Sequence, residues 1–130
     1  MRASLSSLLS AGLMILTMHW PVFGHHSFAA EYDSAKTVTL SGAVSKMEWM
    51  NPHAQLFLDV SDQNGNRVLW EFELASPNAL LRGGWSRNSV KPGDTVTVSG
   101  FRARDGSRRV KAEAVTLSDG RKVTTPSSRR

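Results

Sequence analysis

The chain has 130 residues, a formal net charge of +5 and 40% hydrophobic residues. This length fits one domain, and the hydrophobic content is too high for a disordered chain. There is no cysteine, which excludes disulfides, a thiolate zinc site and a catalytic thiol. Charge is unevenly spread, because positions 25–81 carry three basic and seven acidic residues while positions 82–130 carry twelve basic and four acidic ones.

The first segment predicts export. Arg2 precedes a mostly apolar run at positions 5–18, and Val22 and Gly24 supply the short residues that signal peptidase needs. We therefore expect residues 1–24 to be a signal peptide cleaved after Gly24. A membrane anchor is the alternative, but the run is shorter than the about 20 apolar residues of a spanning helix, so no transmembrane segment is expected after processing. Export without cysteine favours a bacterial periplasm.

Alternating apolar and polar residues then predict five main strands, at positions 38–49, 54–60, 68–74, 95–101 and 110–115, with a small extra strand at 121–124. The apolar parity of the first run changes near Lys46, which predicts a β-bulge. Asn64-Gly65 predicts a hairpin turn between the second and third strands. In the third strand, Trp70 and Phe72 are expected in the core, with Glu71 and Glu73 on a solvated face.

A short helix is predicted after the third strand. Ser76 suits an N-cap, Pro77 the first helical position and Gly83 the exit. Three strands, a helix and two strands is the element order of the five-stranded OB-fold, a Greek-key barrel, in which Gly42 and Gly100 would permit sharp bends. We assign this all-β domain to residues 25–123 and a disordered tail to 124–130; a small β-sandwich is the alternative.

Histidines raise the possibility of a metal site. Cleavage after Gly24 would place the α-amino group and imidazole of His25 on one residue, and such nitrogen ligands suit divalent copper. His26 or His53 could supply another nitrogen. The alternative is a solvated terminus with ordinary histidines, because short His-rich tracts are only compositional hints.

The loop between the first two strands is a candidate ligand site. Loops of this kind lie on the binding face of OB-folds, and Trp49, Asn51 and His53 could form a small pocket there, with Trp85 as a further member. The alternative is a core Trp beside an ordinary Asn-Pro turn.

Basic residues cluster around the last hairpin, and an exported protein with such a surface would meet an anionic partner rather than nucleic acid. A solvated face is the alternative. The basic positions are Arg102, Arg104, Arg108, Arg109 and Lys111.

No nucleophile elbow, zinc-protease, P-loop or dinucleotide motif is present, so we expect no enzymatic activity.

Several phrases together resemble the domain of unknown function 6152 family of small exported bacterial proteins. They are HHSFAAEYD from His25, the stretch from Val44 to Asn51-Pro52-His53, FELASPNALLR from Phe72, Gly84-Trp85 and Lys91-Pro92-Gly93-Asp94. The resemblance implies a periplasmic β-barrel whose mature chain starts near HHSF; the family has no established activity, so the resemblance leaves function open. Members often have an aromatic residue after the Asn-Pro-His-Ala phrase, where this chain has Gln55.

Overall fold

The computed structural model of the chain describes residues 27–125. It confirms the predicted all-β class, with six strands and a short helix between the third and fourth strands. A single helical turn also precedes the first strand. The elements are α1 (Phe28–Glu31), β1 (Tyr32–Glu48), β2 (Gln55–Ser61), β3 (Arg67–Glu73), α2 (Pro77–Arg82), β4 (Thr95–Ala103), β5 (Arg109–Thr116) and β6 (Lys122–Thr124).

The strands form a closed ring. Their order in the sheet is β3-β2-β1-β4-β5-β6, and an additional parallel pairing joins β3 to β5. The ring therefore runs β1-β2-β3-β5-β4 and back to β1, with every neighbouring pair antiparallel except β3 and β5. Strand β1 has 17 residues, because its first part pairs with β4 and its second part with β2. This arrangement removes the open edges that a small sheet would otherwise expose.

The strands are irregular or closely packed at the positions that the sequence singles out. The register of β1 against β2 shifts between Val44 and Lys46, which confirms the predicted bulge. Gly42 and Gly100 lie where two strands come too close for a side chain. A Cβ atom at Gly42 would collide with the carbonyl oxygen of Asp59, and one at Gly100 with that of Lys111. Both glycines are thus required by close backbone approach.

Helix α2 has the predicted ends. The Ser76 side chain accepts a hydrogen bond from the backbone N–H of Ala79 at 3.4 Å, and Pro77 is the first helical residue. The chain leaves the helix at Gly83, and Gly84 follows with φ of +88°, a conformation that glycine adopts without steric cost. The helix buries Pro77 and Leu80, so it packs on the core through one side.

The main core contains the inward-facing side chains of the strands. Phe72 is completely buried, as predicted, whereas Trp70 is only half-buried and has the Arg102 guanidinium 4.8 Å from its ring centroid. Core burial of this extent is the dominant stabilising contribution in a domain without disulfides. Its buried members are Val44, Ala54, Leu56, Leu58, Val60, Phe72, Leu74, Ala75, Leu80, Trp85, Val90, Val96, Val98, Val110, Ala112, Val115 and Leu117.

A second, smaller hydrophobic cluster is formed by Tyr32, Phe101 and Ala103, with Phe28 packed against it. The ring centroid of Phe28 lies 5.9 Å from that of Tyr32 and 5.4 Å from that of Phe101. The segment that leads into β1 is also tied to the loop after β4, because the Arg104 side chain donates to the backbone carbonyl of Ala29 at 2.7 Å. Helix α1 therefore packs against the start of β1 and the end of β4.

The last described residues correct the predicted tail. Thr124 belongs to β6, and Thr125 is buried, with its hydroxyl donating to the carbonyl of Ala112 and its N–H to that of Glu113. The prediction of disorder is therefore wrong for these two residues, because the sheet supplies partners for their backbone. The predicted signal peptide and the remainder of the tail lie outside the described residues.

Candidate ligand-binding site

One row of side chains crosses four strands of the ring. The register pairs Lys46 of β1 with Phe57 of β2, Phe57 with Glu71 of β3, and Glu71 with Arg109 of β5. The Lys46 ammonium lies 4.3 Å from the centroid of the Phe57 ring, and Arg109 Nε lies 3.5 Å from Glu71 Oε1. Because successive residues of a strand point to opposite faces, this row belongs to the face opposite Leu56, Leu58 and Phe72 in the core.

An open groove lies over this row, next to the loop between β4 and β5. Its cavity volume is about 570 Å³, within the range of small-molecule sites. Leu69 is 49% exposed and is a diagonal neighbour of half-buried Phe57, so the two form a small apolar patch. OB-folds bind ligands on the β2–β3 face beside this loop. We call it the β2–β3 groove; its lining residues are Phe57, Leu69, Glu71, Gly106, Ser107, Arg108 and Arg109.

The basic residues of the last hairpin have separate environments, so they do not form one patch. Arg102 lies over Trp70, and Arg104 is held by Ala29 with Asp33 3.9 Å away. Lys111 is only 6% exposed, so the expectation of a solvated or partner-facing Lys111 is wrong. Arg108 and Arg109 remain, and both line the β2–β3 groove.

The next row of the sheet carries a buried charge cluster. Glu73 is 8% exposed, and its carboxylate accepts hydrogen bonds from Lys111 Nζ at 2.7 Å and from the Tyr32 hydroxyl at 2.8 Å. His53 Nδ1 lies 3.1 Å from Glu73 Oε1. The prediction of a solvated Glu73 is therefore wrong: alternation identified its face, but Tyr32, Lys111 and His53 surround it there. We call these four residues the Glu73 cluster.

The cluster keeps Glu73 ionised. Burial disfavours the carboxylate, but the hydrogen bond and charge of Lys111, then the Tyr32 hydroxyl and His53, outweigh burial and lower the pKa of Glu73. The pKa of Tyr32 is raised by burial and by its hydrogen bond to the Glu73 carboxylate. Tyr32 is thus a neutral donor and Glu73 an anion at neutral pH.

The residues predicted to form a pocket at the first loop differ in how far they are buried. Trp49 is half-buried against the main core, with the Arg87 guanidinium 6.0 Å from its ring centroid, whereas Asn51 is exposed. The His53 side chain is 37% exposed and faces Glu73. Trp85 is 2% exposed and belongs to the main core, which leaves its ring almost no surface for a ligand.

The predicted metal ligands are only partly described. His53 is one of them, whereas His25 and His26 lie outside the described residues. Within residues 27–125 no three His, Cys, Asp or Glu side chains are grouped closely enough to hold a metal ion.

The sequence contains one overlooked signal for the β2–β3 groove. Phe57 occupies an outward position of the β2 alternation, and Leu69 occupies one in β3. A single apolar residue on an outward face is normal, whereas neighbouring ones on adjacent strands form a patch that favours a binding surface. The partnership of Glu73 with Lys111 had no such signal, because it joins positions 38 residues apart.

No helix within the described part of the chain is long and apolar enough to cross a membrane. The closed ring of strands, with one short helix between β3 and β4, defines a small domain of the all-β class. The chain belongs to a family of unknown function, DUF6152, whose family model matches residues 13–112. A comparison with curated proteins finds no match.

Proposed function

We propose that this protein is an exported, non-enzymatic binding module of the periplasm, and that its ligand occupies the β2–β3 groove. The observation that carries the proposal is the juxtaposition of exposed Leu69 and half-buried Phe57 with Arg108 and Arg109 around a cavity of about 570 Å³. Small-molecule sites combine an apolar lining with a few polar groups that fix orientation. Export is supported by the amino-terminal sequence alone.

The pairing of the charged side chains in and beside the groove supports binding rather than catalysis. Glu71 and Arg109 are paired with each other across β3 and β5. The buried carboxylate nearby, Glu73, is held by Lys111 and Tyr32 as a stable anion, so it is poorly suited to exchange protons with a substrate.

Matched variants test where the ligand binds. A panel of small molecules is screened by ligand-detected NMR against the processed protein, and each hit is retested on Leu69→Gln and on Leu81→Gln. These two leucines have similar exposure, 49% and 54%, but Leu81 lies on α2, away from the groove lining. We expect hits to weaken at least tenfold with Leu69→Gln and to be unchanged with Leu81→Gln.

The first loop provides the competing location. Asn51 is exposed on that loop, so Asn51→Ala tests the site predicted from sequence without disturbing the core. Hits that are lost with Asn51→Ala and retained with Leu69→Gln would move the ligand from the β2–β3 groove to the first loop.

Divalent copper binding is a second candidate, favoured by one contact pattern. Glu73 is shared by His53 and by Tyr32, and Tyr32 belongs to the segment that directly follows His25 and His26. A carboxylate on one ring nitrogen commonly orients a histidine that binds metal through the other. In this proposal His25 supplies its amine and imidazole, and His26 or His53 supplies a further nitrogen.

The copper proposal requires a free amino terminus at His25, and this requirement can be tested directly. Correctly processed protein and a form with one additional amino-terminal Met are compared by calorimetry and copper EPR. We expect only the processed form to bind tightly, and equal binding by both would exclude the terminal amine as a ligand. His53→Ala then distinguishes a site that includes the domain from a chelate confined to the terminus.

A further inference from the structure

We propose that the ligand of the β2–β3 groove is an organic acid with an apolar body. Its carboxylate or phosphate would bind Arg108 and Arg109, and its apolar body would cover Leu69 and Phe57. This inference rests on the proposed function and specifies its ligand class. It follows from the charge at one side of the groove and the exposed apolar surface at its floor.

The charge argument depends on which groove residues are already neutralised. Glu71 is the acidic residue of the lining, and Arg109 Nε lies 3.5 Å from it. The ion pairs of residues 27–125 do not include Arg108. Arg108 therefore has no carboxylate in direct contact within these residues, although its charge helps, after the backbone hydrogen bonds that Asp62 accepts, to lower the pKa of that carboxyl. Arg109, in contrast, also lies 3.9 Å from Glu73. Guanidinium groups bind carboxylate and phosphate through two parallel hydrogen bonds, so Arg108 is the better placed of the two to receive an acid.

The apolar argument comes from the floor of the groove. Leu69 is 49% exposed at a strand position, and Phe57 is only half-buried. They are diagonal neighbours, since Phe57 pairs with Glu71 and Leu69 pairs with Asp59. An inorganic anion would leave this surface in water, and a neutral apolar molecule would take Arg108 out of water without a partner, which is costly. A molecule with both an acid and an apolar body satisfies both surfaces.

The test uses matched pairs of probes on the processed protein. Laurate and 2-naphthoate are titrated by calorimetry beside their uncharged counterparts, methyl laurate and 2-naphthamide, and beside inorganic phosphate. We expect both acids to bind at least tenfold more tightly than the uncharged compounds and than phosphate. Arg108→Gln should remove that preference, while Arg87→Gln, an exposed arginine outside the groove lining, should leave it unchanged.

Each contrary result has a defined meaning. Uncharged compounds that bind as well as the acids, phosphate that binds as well as either, or no binding of the acids at millimolar concentration would overturn the ligand class. The proposed function would survive those results if another ligand remained sensitive to Leu69→Gln and not to Leu81→Gln. Acids that bind equally to wild type, Leu69→Gln and Arg108→Gln would overturn both.

The acid could be a free molecule or the headgroup of a lipid, and we commit to the free molecule. Cosedimentation with phosphatidylglycerol vesicles, with phosphatidylcholine vesicles as control, separates the two sources. We expect the protein to bind monomeric laurate at least as tightly as it binds phosphatidylglycerol vesicles. Binding to phosphatidylglycerol vesicles in the absence of binding to monomeric acids would overturn the proposal of a free ligand.

Discussion

Glu73 and Lys111 are register partners in the parallel pairing of β3 with β5, and they form an ion pair of 2.7 Å with exposures of 8% and 6%. This pairing closes the ring through three register positions. Ion pairs in the interior are costly to desolvate, and removal of one partner leaves an uncompensated charge. The ion pair therefore lies at the pairing that closes the ring, and loss of either partner alone should weaken it.

Removal of the Glu73 charge should destabilise the domain strongly. We predict that Glu73→Gln lowers the free energy of unfolding by about 3–5 kcal/mol, because Lys111 would stay buried without its counter-ion. Urea denaturation followed by tryptophan fluorescence measures this. The double variant Glu73→Gln with Lys111→Met should recover part of the loss, since it removes both charges.

The surface pair Lys46–Glu48 is the matched control. Its ion pair is 2.6 Å long, similar to the buried pair, but its side chains are 53% and 41% exposed. We predict that Glu48→Gln costs less than about 1 kcal/mol. Similar losses from Glu48→Gln and Glu73→Gln would show that burial does not control the contribution of Glu73.

Acid should weaken the domain partly through Glu73. Its pKa is lowered in the folded protein, so the unfolded chain takes up the proton first as the pH falls. The stabilisation is complete above the ordinary glutamate pKa of about 4.3 and is lost as the pH falls through the lower folded value. We predict that the difference in unfolding free energy between wild type and Glu73→Gln shrinks below about pH 4.3. A difference that is independent of pH down to acid unfolding would contradict the role of ionised Glu73.

Strand β3 carries one apolar residue in the core and another that is exposed. Phe72 is completely buried, and Leu69 on the same strand is 49% exposed. We predict that Phe72→Ala lowers the free energy of unfolding by about 3–5 kcal/mol through loss of packing and creation of a cavity. Leu69→Ala should stay within about 0.5 kcal/mol. Thermal and urea denaturation measure both, and equal effects would mean that the faces of β3 are assigned wrongly.

Gly100 should not tolerate even a methyl group. A Cβ atom there would collide with the backbone carbonyl of Lys111, whereas one at Gly83 would meet its nearest atom, the Leu80 carbonyl oxygen, at 3.4 Å. We predict that Gly100→Ala costs about 1–3 kcal/mol, as overpacking does. Gly83→Ala should be much milder, since φ at Gly83 is −83°. A Gly100→Ala protein as stable as wild type would mean that β4 and β5 are not in this close contact.

Export predicts a defined amino terminus. Residues Val22-Phe23-Gly24 follow an apolar run, so protein recovered from the periplasm should begin with HHSF. Amino-terminal sequencing of the periplasmic fraction tests this directly. A start at Met1, or recovery in the cytoplasmic fraction only, would contradict both export and the copper proposal that depends on it.

The sequence by itself determined the local elements of this domain. Alternation located the strands, the parity change near Lys46 located the bulge, and Ser76, Pro77 and Gly83 located both ends of α2. These features depend on residues only a few positions apart, so the chain specifies them locally. The beginning of β1 at Tyr32 was missed, because positions 32–37 do not alternate between apolar and polar residues; the pairing of β1 with β4 is also irregular there.

The tertiary structure alone decided the chemistry of the surfaces. Alternation assigns Glu73 to the face opposite Phe72, but only the approach of β5, Tyr32 and His53 makes that position a buried anion. The β2–β3 groove likewise exists because the loop after β4 comes beside Phe57 and Leu69, which lie far earlier in the chain. A period of two tells which side of a strand a residue occupies, and it carries no information about which distant segment covers that side.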